Sequence, residues 1–171
     1  MKMTQAAGER HVLTIEVDNE AGILAKIAGL FTARGYNIDS LTVADISEDH
    51  AVSRITIVTN GPPPVIDQIR AQLERLVPVH QVTDLTEQGA HVERELALVK
   101  VAGTGDKRVE ALRIAELFRA KVVDTTTSSF VFEITGTTEK IGSFLALMRE
   151  LGLVEVGRSG IVGMMRGVQD A

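Results

Sequence analysis

The sequence contains no cysteine and no tryptophan, and only one of its 171 residues is a tyrosine. Without cysteine the chain has no disulfide, no thiolate nucleophile, no iron–sulfur cluster and no cysteine-ligated zinc. The scarcity of aromatic residues argues against RNA binding on an RRM-like sheet, where bases stack on aromatic side chains. Several classes of redox, metal and RNA-binding protein are therefore excluded.

The chain also lacks an excess of positive charge, since 18 basic residues face 23 acidic ones and the net charge is −5. Such a chain is repelled by a phosphate backbone, so we expect no nucleic-acid partner. No apolar run approaches the roughly 20 residues needed to cross a bilayer, and the first five residues are not an apolar leader. We therefore expect a cytoplasmic protein without a membrane partner.

No motif typical of catalysis or metal binding is present. The four histidines fall on different predicted elements without helix-face spacing, so we expect surface or turn positions and no metal site. They are His11, His50, His80 and His91. The glycine-containing segment at 103–107 lacks the spacing of a phosphate-binding loop and is predicted to be a turn. No G-x-S-x-G elbow surrounds a serine, so we expect no catalytic residue.

A pattern of strand, helix, strand, strand, helix and strand occurs twice. In the first half, apolar residues with period two or with helical spacing predict these elements at 12–17, 23–31, 38–46, 52–59, 66–76 and 77–85. Gly35 is predicted to end the first helix, and Pro62 to Pro64 to begin the second. This order is the ferredoxin-like βαββαβ arrangement.

The second half repeats the layout after a polar linker at 86–91. Its elements are predicted at 96–102, 109–118, 121–125, 130–135, 141–148 and 154–158. The fold class is therefore α+β with two ferredoxin-like modules. We assign residues 1–10 to an N-terminal extension, 11–86 to the first domain and 87–171 to the second, an α/β sandwich, and leave the shape of the tail after Gly160 open.

Helices are expected to cover one face of the first sheet and to leave the other bare. That bare face is predicted to carry apolar side chains, namely Leu41, Val43, Ile55 or Ile57. Because exposed apolar patches of that kind are usually covered, we expect a dimer or a contact with another domain.

Gly22 falls where the first helix is predicted to begin, three residues after Asn19. The first turn of a helix has unpaired N–H groups and partial positive charge, and glycine lets a carboxylate approach them. Asn19 adds an amide that both donates and accepts hydrogen bonds. On the residues alone, a turn that uses Asn and Gly only for backbone conformation explains the pattern as well.

Residues 12–24, together with Phe31 and residues 34–43, resemble an ACT domain, and the segments 90–96 and 158–163 extend the match. Together they resemble the small, regulatory subunit of acetolactate synthase (acetohydroxyacid synthase), over a region from about His11 to Gly167. The resemblance implies a non-catalytic subunit of branched-chain amino-acid biosynthesis that binds and activates a large catalytic subunit. It also implies that the cofactors, namely thiamine diphosphate, Mg and FAD, belong to the large subunit and none to this chain.

The resemblance further implies feedback inhibition by a branched-chain amino acid, usually valine, held between two ACT domains of a homodimer. The family pattern places Asn19 and Gly22 of one chain, and Asn37 and Ile38 of the other, around this effector, with Ile23 or Ile38 beside its aliphatic side chain. For Asn37, a simple turn after the helix is the alternative. A stand-alone ACT-type amino-acid sensor without a catalytic partner is the alternative function.

Overall fold

The computed structural model describes residues 8–168. Contacts within the chain group the described residues 8–92 and 161–168 into one unit and residues 93–160 into another. The domain limits predicted from the sequence, 11–86 and 87–171, stay a prediction. The grouping by contacts differs from them because it places residues 161–168 with the first unit. Residues 1–7 of the predicted extension and residues 169–171 of the tail lie outside the described residues.

The first unit has the predicted βαββαβ order, which is confirmed. Its elements are β1 (Glu9–Asp18), α1 (Ile23–Ala33), β2 (Ile38–Asp45), β3 (Val52–Gly61), α2 (Pro63–Glu74), β4 (Val79–Asp84) and the short helix α3 (Leu85–Gln88). The strands form one antiparallel sheet in the order β2-β3-β1-β4. Helix α3 occupies part of the predicted linker because the Asp84 carboxylate accepts from the N–H groups of Thr86 and Glu87.

The core of the first unit lies between this sheet and helices α1 and α2. Ile55 and Ile57 of β3 are fully buried there, opposite Ile15 and Leu13 of β1. The prediction that they lie on the bare face was wrong, because the alternation of β3 directs them toward the helices. Leu41 packs against this core. Other members of the core include Val17, Ile23, Ile27, Phe31, Ile66, Ile69 and Leu73.

The opposite face of the first sheet is largely polar. In the strand register Thr14 lies opposite Thr56, and Glu16 lies opposite Arg54. The sequence also assigned Val43 to the bare face. It lies opposite Ile55, on the helix side of the sheet, and it is 45% exposed because β2 is an edge strand. The sheet therefore does not present the apolar face that the sequence predicted.

The second unit repeats the layout with β5 (His91–Ala102), α4 (Gly105–Leu117), β6 (Lys121–Thr125), β7 (Ser129–Gly136), α5 (Thr138–Leu151) and β8 (Leu153–Arg158). Its main strand order is β6-β7-β5-β8. The core is formed by inward residues of β5 and β7 and by both helices, with Phe130, Phe132 and Phe144 as its largest side chains. The predicted α+β class with two ferredoxin-like modules is confirmed. No helix within residues 8–168 is long and apolar enough to span a membrane.

The tail, whose shape the sequence left open, returns to the polar face of the first sheet. We call residues 161–165 the strap, most of which is strand β9 (Val162–Met165). Ile161 is 5% exposed and packs in a small cluster, whose other members are Val12, Val58, Leu85 and, partly buried, Met165. The strap therefore belongs to the first unit, although it follows the second unit in the sequence.

Hydrogen bonds fix the strap on β2 and β3. The Ile161 N–H donates to Ser40 Oγ at 2.8 Å, and Thr42 Oγ donates to the Ile161 carbonyl at 3.0 Å. Arg54 Nη2 donates to the Gly163 carbonyl at 3.0 Å. A Cβ at Gly163 would lie 2.7 Å from Leu85 Cδ1, so a larger residue there would require the Leu85 side chain to move.

Candidate functional site

The first half of the candidate site is the open first turn of α1. Gly22 is the residue before the helix, with φ 84° and ψ −6°, a left-handed conformation that favours glycine. No side chain caps the turn, no acidic residue lies in it, and a Cβ at Gly22 would meet nothing within 4 Å. The start of α1 carries partial positive charge, its Ile23 N–H makes only a long bond of 3.4 Å to the Glu20 carbonyl, and the space beside Gly22 is open to an anion.

Asn19 lies beside this turn and is held by the β2–β3 hairpin. Its backbone N–H donates to the Ala51 carbonyl at 2.8 Å, and its Nδ2 donates to the His50 carbonyl at 2.9 Å. Because a carbonyl only accepts, the amide nitrogen must face His50, which leaves the Oδ1 of Asn19 as an acceptor. Asn19 can therefore offer an oxygen to a positively charged group.

The hairpin that holds Asn19 is fixed by its own polar contacts. The Ser47 hydroxyl and, to a smaller extent, the Ala51 N–H hydrogen-bond to Asp49, and these bonds hold the pKa of its carboxyl below the ordinary value. His50 has φ 57°, and its ring hydrogen-bonds to Asp45. The carbonyl that positions Asn19 therefore belongs to a structured turn.

The second half of the site follows the end of α1. Gly35 has φ 71°, and the Tyr36 N–H donates to the Phe31 carbonyl at 3.0 Å, so the predicted helix end at Gly35 is confirmed. The Asn37 carbonyl accepts from Thr59 Oγ at 2.7 Å, and its Nδ2 donates to Asp39 Oδ1 at 3.1 Å. Asn37 is therefore held at both its backbone and its side chain.

The two predicted isoleucines differ in exposure. Ile23 is 7% exposed and belongs to the core of the first unit, so it offers little surface to a ligand. Ile38 is half-buried, and it packs against that core without being one of its buried members. Of the two, Ile38 has the more accessible aliphatic surface.

Within one chain the structure does not bring the two halves together. Asn19 and Gly22 precede α1, whereas Asn37 and Ile38 follow it, and this helix has 11 residues. At 1.5 Å per residue the helix is about 16 Å long, which is too far for one branched-chain amino acid to span. A site that uses both halves therefore needs a second copy of the chain.

A cavity of about 430 Å³ adjoins the second half of the site. It is lined by Gly8, Arg34, Gly35, Tyr36, Asn37, Asp39, Asn60, Gly61 and Pro62. The sequence did not single out Asp39 or Asn60. Their contact joins residues 21 apart through the pairing of β2 with β3, and no local spacing signals it.

One histidine departs from the prediction of surface or turn positions. His11 is only 6% exposed, and its Nδ1 lies 2.7 Å from Asp84 Oδ2, so the prediction was wrong for this residue. The polar partner at the end of β4 allows an imidazole to be buried in β1. His50 and His80 are exposed and pair with Asp45 and Asp18.

The remaining predicted features take simple places in the fold. His91 Nδ1 lies 3.0 Å from the Gly89 carbonyl. The segment at 103–107 runs directly into α4, which begins at Gly105, instead of forming a separate turn. In the part of the chain from residue 8 to residue 168, no three side chains of the metal-binding types lie close enough to share an ion.

The chain matches two family models along most of its length. Residues 13–81 match a model described as an AHAS small subunit-like ACT domain, and residues 94–167 match one described as the small subunit of acetolactate synthase. These are the regions in which the two βαββαβ layouts lie.

Curated relatives and a solved structure agree with these matches. The chain is 46% identical over 159 residues to the acetolactate synthase isozyme 3 small subunit of Salmonella typhimurium, covering 92% of this chain and 96% of that protein. It is 42% identical to a probable small subunit from Archaeoglobus fulgidus, covering 92% and 98%. A crystal structure of the small subunit from Thermotoga maritima is similar, with a TM-score of 0.84, 38% identity, and 94% and 99% of the two chains covered.

Proposed function

This chain belongs to the acetolactate synthase small-subunit family, and from that membership we propose that it activates a catalytic large subunit and confers feedback inhibition by valine. The family makes its role regulatory and its partner a large subunit. Thiamine diphosphate, Mg and FAD would then be bound by the large subunit and none by this chain. The proposed context is branched-chain amino-acid biosynthesis.

The observation that supports an effector site between two chains is the separation of its halves by the length of α1. In the proposed homodimer, the effector carboxylate binds the N–H groups at Gly22, and its ammonium binds the Oδ1 of Asn19. Asn37 and Ile38 of the partner subunit complete the site, with Ile38 against the aliphatic side chain. Each dimer would contain two such sites, related by its symmetry.

Regulation requires that valine bind two arrangements of the dimer with different affinity. We propose that valine bridges two ACT domains and so favours the arrangement that activates the large subunit less well. A coupling free energy of about 1–3 kcal/mol would change affinity about 5- to 150-fold, which is ample for feedback control.

The first test is reconstitution of the full chain with the large subunit. We expect the chain to raise the rate of acetolactate formation and valine to lower the raised rate, because activation and inhibition both act through the small subunit. A stand-alone sensor would bind valine and leave that rate unchanged. The measurement is the initial rate of acetolactate formation at increasing chain concentration, with and without valine.

The second test uses the reciprocity of binding. If inhibition acts through affinity, the large subunit must weaken valine binding by the factor by which valine weakens the large subunit. Calorimetric titration of valine into the chain alone and into the complex should therefore give different dissociation constants. Equal constants would reject inhibition through affinity.

A further inference from the structure

We propose that Asp39 and Asn60 form an acceptor cluster with Asn37 that recognises the primary ammonium group of the effector. The proposal rests on the function proposed above and adds two residues to the second half of the site. It also restricts the effector to compounds with a protonated amino group.

The cluster is built around the Asp39 carboxylate. Asn37 Nδ2 donates to Asp39 Oδ1 at 3.1 Å, and Asn60 Nδ2 donates to Asp39 Oδ2. Thr59 Oγ donates to the Asn37 carbonyl at 2.7 Å, which fixes the backbone beside the cluster. The three side chains are therefore held together across two neighbouring strands.

The backbone of β2 is irregular at this position. Ile38 lies opposite Thr59 and Ser40 lies opposite Val58, so Asp39 is an additional residue without a partner of its own in β3. Such a bulge changes the direction of a side chain, and bulges are frequent beside functional sites. Here the bulged residue is the one that both amides contact.

The direction of these hydrogen bonds determines what the cluster can bind. A carboxylate only accepts, so the amide nitrogens of Asn37 and Asn60 must face Asp39, and each Oδ1 is left to accept from elsewhere. A carboxylate also has about four acceptor positions, more than two amides fill. The cluster therefore keeps three groups that can still accept hydrogen bonds, on residues that line the cavity.

A primary ammonium group carries three N–H donors and one positive charge, so it can divide its donors between the Oδ1 of Asn19 on one chain and this cluster on the partner chain. Arg34 lines the same cavity and donates from Nη1 to Gln68 Oε1 at 2.8 Å. Asp39 and Arg34 are thus the two charged side chains in the cavity lining. Without the carboxylate, the charge left in the lining would repel an ammonium group.

The decisive variant is Asp39→Asn, which keeps the size of the side chain and removes its charge. We expect the dissociation constant for valine to rise at least about tenfold, since hydrogen bonds to charged groups are roughly twice as strong as neutral ones. Asn60→Ala should weaken valine less, because the carboxylate remains. Asp106→Asn in α4 makes the same change of net charge outside the first unit and should leave the constant unchanged.

A ligand series on the unaltered chain tests the proposal without any variant. Valine and 3-methylbutanoate share a carboxylate and a branched chain and differ in the ammonium group, so only valine should bind with high affinity. Calorimetry that found equal affinities for both, or an unchanged valine affinity in Asp39→Asn, would overturn the acceptor cluster. Absence of valine binding to the unaltered chain would instead overturn the proposed effector, and the cluster with it.

Discussion

Replacing Gly22 with aspartate should abolish inhibition by valine and leave activation of the large subunit in place. The new carboxylate would lie at the first turn of α1, where the carboxylate of the effector is proposed to bind. A Cβ there meets nothing within 4 Å, so the new side chain has room, and the local cost is the backbone strain of a side chain at φ 84°. The variant itself places a negative charge at the positive end of the helix, which stabilises the helix and occupies the site.

Gly22→Asn is the matched control. Asparagine has nearly the shape of aspartate, and both tolerate the left-handed φ of 84° better than other side chains do, so backbone strain is shared. The two variants differ in charge and in one polar group, because asparagine carries an NH2 donor in place of one carboxylate oxygen. Inhibition curves of the reconstituted enzyme should show no valine effect for aspartate and a partial effect for asparagine, and a fully sensitive Gly22→Asp would show that the effector binds elsewhere.

Ile161→Ala should destabilise the first unit by about 2–4 kcal/mol, the usual cost of truncating a buried isoleucine. Ile161 is 5% exposed and packs on Val12, Val58 and Leu85. The neighbouring Val162 is 56% exposed, so Val162→Ala should change stability by no more than about 0.5 kcal/mol. Comparing the two variants separates the stability lost with the buried packing of Ile161 from the effect of any alanine substitution in the strap.

The single tyrosine makes this effect measurable in one unit. Tyr36 packs against the core of the first unit, and the chain has no tryptophan, so intrinsic fluorescence follows that unit. In urea, the fluorescence transition of Ile161→Ala should move to a lower midpoint with an unchanged slope. A transition that stayed in place would mean that the strap contributes nothing to the stability of the sheet it contacts.

The elements of the fold were predictable because they depend on local spacing. Period-two residues of β1, the apolar stripe that ends at Phe31, and Gly35 just after α1 each specify structure within a few neighbours. The faces of β3 were not predictable in the same way. Every residue from Ile55 to Thr59 is buried, and a continuous run of that kind does not show which side faces the helices.

The candidate site was predictable only where its residues are close in sequence. Asn19 and Gly22 belong to one turn, and family resemblance added Asn37 and Ile38. Asp39 was missed because its role depends on a strand bulge and on Asn60 across the sheet. The strap was missed for a similar reason, since Ser40 and Ile161 are 121 positions apart.

The position of the strap in the sequence also determines when the first unit can finish folding. A nascent chain emerges from the ribosome with β1 to β4 first and Ile161 only after residues 93–160. Residues 93–160 can close their own core before then, while Val12, Val58 and Leu85 still lack their cover. During translation these three side chains form a temporarily exposed apolar surface. A chaperone would bind there, and two incomplete chains would associate there.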